Sequence, residues 1–400
     1  LSFAQTGEEQ KRVSVDPIFG LENSFKVWYG QNQALLDPAF LSKKREEEAE
    51  LRARVEADPA LKQQIGDPWA ELVQVQAAAS DLYVPYRQLV SSAGGGSTLY
   101  GMASGIVGLA QERAKPESER RAGFTDAAVT RFARQLGQEV PISKPLEEIY
   151  LQFWLSKTRE YLTVDNANVQ TLLGSESPEA LAERAVANTR LDDPAYRTSL
   201  LEMTPEQLDA TGDPLIRLAL RNFEASRDLA AEWDAKVNAP TAQAAERVAQ
   251  ARFAVYGDNL YPDATFSLRL SYGAVEGWTY RGVTVPAFTY MGGLYERATG
   301  SEPFNAAEKF LAAEDRINKQ AVYNFVSTND IIGGNSGSPV INSDGEVIGA
   351  AFDGNIHSLG GSFGYDGNLN RTVTVSTAAI TEALRTVYQQ PRLLEELGVE

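Results

Sequence analysis

The chain has 400 residues, 43% of them hydrophobic, enough to bury a substantial core, and its length predicts two or three domains. A net charge of −17 argues against a nucleic acid or an anionic membrane surface as partner. With no cysteine and one histidine, these residues can form no disulfide, no thiolate metal site and no multi-histidine zinc site. No apolar run is long enough to span a bilayer. The chain starts at Leu1 without a basic-then-apolar leader, and is expected to be the remainder of a longer precursor.

The first part, to about Tyr261, reads as helix after helix. Asn23 to Ala57 is one helix that Asp37-Pro38 can break, and its charged run from Ser42 to Arg54 reads as a solvated face. Ala93-Gly94-Gly95-Gly96-Ser97 reads as a flexible joint; it lacks the Lys-Ser/Thr of a phosphate loop. Ser143-Lys144-Pro145 opens a helix whose Leu146, Ile149, Tyr150, Phe153 and Trp154 fall on one face, expected to be core. Pro at the first helical position marks further starts at Ser177-Pro178, Asp193-Pro194, Thr204-Pro205 and Asp213-Pro214. Thr204 and Gln207 have capping-box spacing. Leu215, Leu218, Ala219 and Asn222 share a face, and helices are expected to end near Asn238-Ala239-Pro240 and to run again from Thr241 to about Tyr256.

Composition changes after Gly257-Asp258-Asn259. Phe266, Leu268, Leu270 and Tyr272 alternate with polar residues, predicting a half-buried strand, and Trp278 to Val285 can return beside it. A helix from Asn305 past Lys309 and strands at Ala321–Val326, Val340–Ile341, Val347–Phe352 and Thr372–Val375 follow, with a closing helix from Thr377 to Val387. The expected fold class is α+β: a large all-helical domain at 1–260, then a six-stranded antiparallel β-barrel at 261–400.

Between two of these strands lies Thr328-Asn329-Asp330-Ile331-Ile332-Gly333-Gly334-Asn335-Ser336-Gly337-Ser338-Pro339-Val340. A nucleophilic serine needs a tight turn that exposes its hydroxyl, and small neighbours that let a carbonyl reach the backbone. The amides of Gly334 and Ser336 can then point at one spot, an oxyanion hole. The plainer reading is a Gly/Ser/Asn turn between strands. Gly-Asn-Ser-Gly-Ser-Pro resembles the nucleophile loop of chymotrypsin-like serine peptidases. The run from Asn329 to Asn355 is similar to the bacterial dipeptidyl-peptidase 7 and 11 family, serine exopeptidases that remove dipeptides from free amino termini. Leu369-Asn370-Arg371-Thr372-Val373, Tyr261-Pro262-Asp263-Ala264-Thr265-Phe266 and Glu22-Asn23-Ser24-Phe25-Lys26 extend the resemblance.

The resemblance implies a chymotrypsin-like barrel half capped by the helical domain, with Ser336 as nucleophile and the Gly334 amide in the oxyanion hole. It places Asp353 at the site that binds the substrate's amino terminus, with Asn23 as a second anchor. Gly354 falls where the acidic-specific branch carries an arginine, so apolar side chains are expected at the second substrate residue. Serine needs a base. The only histidine, His357, follows the serine and reads as a loop residue near the cleft; the resemblance puts the catalytic histidine and aspartate in an upstream segment absent from this chain. Peptides with a free amino terminus are the expected partners, with a homodimer, a periplasmic location, no metal and no organic cofactor. Two alternatives stay open: a trypsin-like endopeptidase, and an inactive peptide-binding relative that keeps the serine loop.

Overall fold

The computed structural model describes residues 2–257, 268–301 and 304–399. They form two compact units, one from the described residues of 1–14 and 51–261, the other from those of 15–50 and 262–400. Residues 15–50 are helical throughout but for Asp37, yet they cluster with the second unit rather than with the helices that follow.

The first unit is helical. Six of its helix starts follow one device: Asp58, Asp67, Ser177, Asp193, Thr204 and Asp213 each precede a proline, and each side chain accepts a backbone N–H of the first turn. Proline has no N–H to leave orphaned there, and the cap satisfies one that would be. Thr204 and Gln207 complete the expected capping box. Leu215, Leu218, Ala219 and Asn222 are buried as their spacing requires. Leu215, Leu218 and Ala219 pack with Leu99, Ile106, Leu151, Trp154 and Leu181 in one core, and Asn222 Nδ2 donates to the Leu89 carbonyl.

Two expectations in this unit fail for stated reasons. On Lys144–Leu162 the buried face is Glu147, Leu151, Trp154, Leu155 and Thr158, while Phe153 and Ile149 are exposed. Glu147 turns inward because it caps another helix: Ser97 Oγ donates to its Oε2 at 2.6 Å and the Leu99 amide at 3.0 Å. The glycine run is no loose joint. A Cβ on Gly94 would stand 2.3 Å from Tyr100 Cδ1, and one on Gly95 2.6 Å from the Tyr150 carbonyl oxygen. These glycines let a turn pack directly on aromatic neighbours.

The second unit begins in the helix α1, Glu8–Leu36, and includes most of α2, Pro38–Ala57; the break falls at Asp37, as expected. Its strands are β1 (Trp278–Tyr280), β2 (Val283–Val285), β3 (Phe288–Tyr290), β4 (Val322–Ser327), β5 (Pro339–Ile341), β6 (Val347–Gly354) and β7 (Thr372–Ser376). β1 and β2 form a hairpin on their own, so Trp278–Val285 is two strands and not one. Arg281 and Gly282, both at positive φ, make its turn. The other five form an antiparallel sheet in the order β3-β4-β7-β6-β5.

Among the described residues this sheet has five strands, not six, and no pairing of β3 with β5 closes it. The strand expected around Phe266 to Tyr272 starts outside the described residues, as does Tyr261–Phe266. Its described part forms no strand: Leu268, Leu270 and Tyr272 are exposed, and the segment is held by isolated contacts, Ser271 Oγ donating to Asp330 O, Asn329 Nδ2 to Ser271 O, and Val275 bridging Ser327. Alternation specifies a strand only where a continuous ladder receives it. No helix among the described residues is long and apolar enough to cross a membrane.

Candidate functional site

Ser336 lies in the loop between β4 and β5, with its residue exposed. The loop is shaped from within. The amide and side-chain N–H of Asn335 both donate to the Ile332 carbonyl, and the Ser338 amide donates to Asn335 O. Gly334 sits at φ +104° and Gly337 at +88°, where a side chain is strained. A Cβ on either would meet nothing within 4 Å, so backbone conformation and not crowding demands glycine, and the space over the loop is open. The amides of Gly334 and Ser336 donate to no acceptor among the described residues. Among the described residues Ser336 Oγ reaches only the Phe352 carbonyl, at 3.4 Å.

The loop is tied to β6. The Gly337 amide donates to Ala351 O at 2.7 Å, and the Ala351 amide to Ser338 O at 2.9 Å. Two residues on, the ladder changes register. Ala351 pairs with Thr374, but Asp353 pairs with Val373, so Phe352 is an extra residue and β6 bulges. On β7, Thr372, Thr374 and Ser376 are buried and Val373 and Val375 half-buried. In an unbroken ladder Asp353 would oppose Thr372 on the buried side. The bulge moves the carboxylate to the side of Val373 and leaves Gly354 opposite Thr372.

Asp353 is not bare. Its Oδ1 accepts the Gly354 amide at 2.8 Å, and its Oδ2 lies 2.7 Å from Lys26 Nζ on α1. The helix is held close. A Cβ on Gly30 would stand 2.3 Å from Leu359 Cβ, and one on Gly360 would stand 2.6 Å from Ala34 Cβ. Lys26, Gly30 and Ala34 are four apart and share one helix face; Asn23, three before Lys26, belongs to the same stripe. The Asn23 side chain is exposed and makes no hydrogen bond among the described residues.

The segment from Asn355 to Arg371 walls this region. Asn355 Oδ1 accepts from the Ser358 amide, Ser358 Oγ and the Arg371 amide, while its Nδ2 donates to Leu369 O. Arg371 is 3% exposed and has carbonyls around its guanidinium in place of a carboxylate: Glu276, Gly277, Gly367 and Asn370. Such a fork of donors satisfies several loop carbonyls at once. Ser358 closes on Gly354, where a Cβ would meet Ser358 Cβ at 2.7 Å. His357 packs on Tyr280, ring centroids 4.6 Å apart, and burial pushes its imidazole below the usual range against the opposing pull of Asp366.

The structure therefore puts Gly334 and Ser336 in a loop tied to the strand that ends in Asp353 and Gly354, with the Asn23 stripe against the segment that follows. Sequence reasoning quoted Lys26 and Arg371 within motifs without giving either a role, and passed over Ser358. The spacing of Asn23 and Lys26 was the one available signal for the ion pair.

A family model, peptidase S46, matches residues 1–399. An Asp/Glu-specific dipeptidyl-peptidase of Shewanella putrefaciens is 28% identical over 347 residues, 76% of this chain and 46% of that protein. A dipeptidyl-peptidase 7 of Phocaeicola vulgatus is 37% identical over 148 residues, 34% of this chain and 20% of that protein. The crystal structure of Porphyromonas endodontalis DPP11 in complex with the dipeptide Arg-Glu superposes with a TM-score of 0.71 at 21% identity, covering 94% of this chain and 55% of that one. The chain thus spans about half the length of the proteins it matches along most of its own.

Proposed function

Because the chain belongs to the peptidase S46 family, we propose that it is the serine-bearing part of a dipeptidyl aminopeptidase that releases dipeptides from free peptide amino termini. In this reading Ser336 Oγ attacks the carbonyl of the second substrate residue and gives its proton to a general base. The Gly334 and Ser336 amides receive the resulting oxyanion; each such donor is worth about 2.7–4 kcal/mol in the transition state. The intermediate collapses to an acyl-enzyme, the carbon–nitrogen bond breaks, and the leaving amine takes the proton. Water, deprotonated by the same base, then frees the dipeptide.

The base and its aspartate belong, in this proposal, to a part of the relatives' length that these 400 residues do not span. His357 is not chosen, since its ring packs on Tyr280 and Ser336 Oγ faces the Phe352 carbonyl. The five-stranded sheet is read as one half of a chymotrypsin-like pair of six-stranded barrels. The helices of 1–260, less the stretch that clusters with the sheet, are read as the helical domain. A homodimer and a periplasmic location belong to the same proposal.

The observation that carries the reading is the tie between nucleophile loop and carboxylate: Gly337 and Ser338 bond Ala351, two residues before Asp353. One short strand therefore fixes the spacing between an exposed serine and an acidic group that already receives a primary ammonium. A fixed spacing between nucleophile and amine-binding group is what measuring off two residues from a free amino terminus requires. For the second substrate residue, Gly354 offers no charge, and apolar side chains are the proposed preference. The Shewanella putrefaciens relative is named for Asp/Glu, so residue 354 and not overall likeness is taken to decide. The test is hydrolysis of matched reporters by the full-length protein. Free-amine dipeptides should be cut and N-acetylated ones spared; equal cleavage of both would reject the proposal.

A further inference from the structure

A primary ammonium of the protein itself already occupies the carboxylate assigned to the substrate's amino group. Lys26 Nζ is 2.7 Å from Asp353 Oδ2, with the two side chains 40% and 33% exposed. A substrate's terminal ammonium has the same charge and the same three donors. Two ammonium groups on one carboxylate repel each other, so the second is bound best when the first departs. Departure is cheap here: a pair this exposed contributes little, and the lysine stem is long and flexible. A second acceptor also lies within reach. Glu22 is four residues before Lys26 on α1 and exposed, the favourable order for a Glu–Lys pair along a helix.

We propose that Lys26 is a displaceable counter-ion of the amine clamp. It holds the Asp353 carboxylate in the free enzyme, and yields it to the substrate's α-ammonium by swinging back along α1 to Glu22. It is a positioning residue, touching neither the scissile carbonyl nor Ser336. The consequence is competition: the protein's own cation sets how tightly the amino terminus is held. The inference rests on the reading of Asp353 as the amine clamp, and deepens it.

The experiment compares steady-state kinetics of the full-length protein and its variants on a free-amine dipeptidyl reporter with Leu second, at low ionic strength. Inhibition by the free dipeptide product is measured alongside. Lys26→Met keeps the stem and removes the competitor, so KM and the product inhibition constant should both fall, by about two- to fivefold, with kcat little changed. Lys26→Gln should act alike if the methionine variant fails to fold. Glu22→Gln removes the alternative acceptor and should raise KM. A merely structural ion pair predicts the opposite sign for Lys26→Met. Unchanged or raised values of both constants in the Lys26 variants overturn the proposal. If the unmodified protein cuts N-acetylated and free reporters equally, the clamp reading itself fails; if it demands a free amine and the Lys26 variants bind no tighter, only the counter-ion role fails.

Discussion

Lys26 and Asp353, 327 positions apart in sequence, meet at 2.7 Å. Asp353→Asn therefore removes a charge that two cations are proposed to use. The loss of an exposed ion pair should change stability by less than about 1 kcal/mol. kcat/KM on free-amine dipeptidyl reporters should nevertheless drop steeply, since the substrate ammonium loses its charged partner. Unfolding curves and kinetics on one preparation separate the two effects, and unchanged kinetics would reduce Asp353 to a turn residue.

Ser336→Ala in the full-length protein should lower kcat by orders of magnitude with substrate binding nearly intact. The 400-residue chain on its own should hydrolyse no peptide if, as proposed, the base belongs to a part of the relatives' length that these residues do not span. Ser336-dependent turnover by the purified chain would show that a base, His357 being the candidate, lies within it.

Gly334→Ala tests the oxyanion amide by another route. At φ +104° alanine is strained by about 1–3 kcal/mol, while the space above it stays open. The loop should shift rather than clash, and kcat should fall more than KM rises. Equal loss in Gly333→Ala, at a glycine without positive φ, would argue that any change in the loop does the same.

Gly354→Arg is expected to fail as a single change. Its Cβ would stand 2.7 Å from Ser358 Cβ, inside the network of Asn355 and Arg371. Paired with Ser358→Gly, the arginine gains room, and preference should move from Leu towards Glu at the second substrate residue through a charge-assisted, bidentate contact. The measurement is kcat/KM for Leu and Glu reporters in the unmodified protein, in each single variant and in the pair. An unmodified enzyme that prefers Glu would sink the apolar assignment.

Arg371→Lys keeps the charge but cannot span the carbonyls of Glu276, Gly277, Gly367 and Asn370. Leaving several of them unmet in a buried setting should cost on the order of 3 kcal/mol. Thermal unfolding should show the loss, and the Gly354 wall should loosen with it. A small shift in midpoint would mean water replaces the guanidinium at little cost.

Burial lowers the pKa of His357, so the unfolded chain binds its proton more readily than the folded one. Stability from this group should therefore fall as pH drops below the ordinary histidine range and be unaffected above it. Unfolding midpoints of the protein and of His357→Gln should diverge at neutral pH and converge in acid. Parallel curves would show that the ring titrates as if exposed.

What the sequence determined by itself is local. Proline after an Asp, Ser or Thr cap sets where a helix starts, because the donor that proline lacks is one the first turn cannot use. Glycines flanking Ser336 announce an exposed turn, because Gly334 and Gly337 need positive φ whatever surrounds them. Those same residues carried the family resemblance. Tertiary structure decided everything that depends on a partner. The alternation at Leu268, Leu270 and Tyr272 promised a strand, but among the described residues it meets its neighbours only through isolated contacts of Ser271 and Val275, and no ladder forms. Phe153 looked like core until Glu147 was drawn inward to cap a distant helix. A bulge at Phe352 turns Asp353 off the buried side, and nothing in the run Ala350-Ala351-Phe352-Asp353 reveals a slipped register, since register belongs to two strands at once. The place of Lys26 is of the same kind: it follows from α1 resting on Leu359 and Gly360, a contact between segments more than 300 residues apart, which only the folded chain creates.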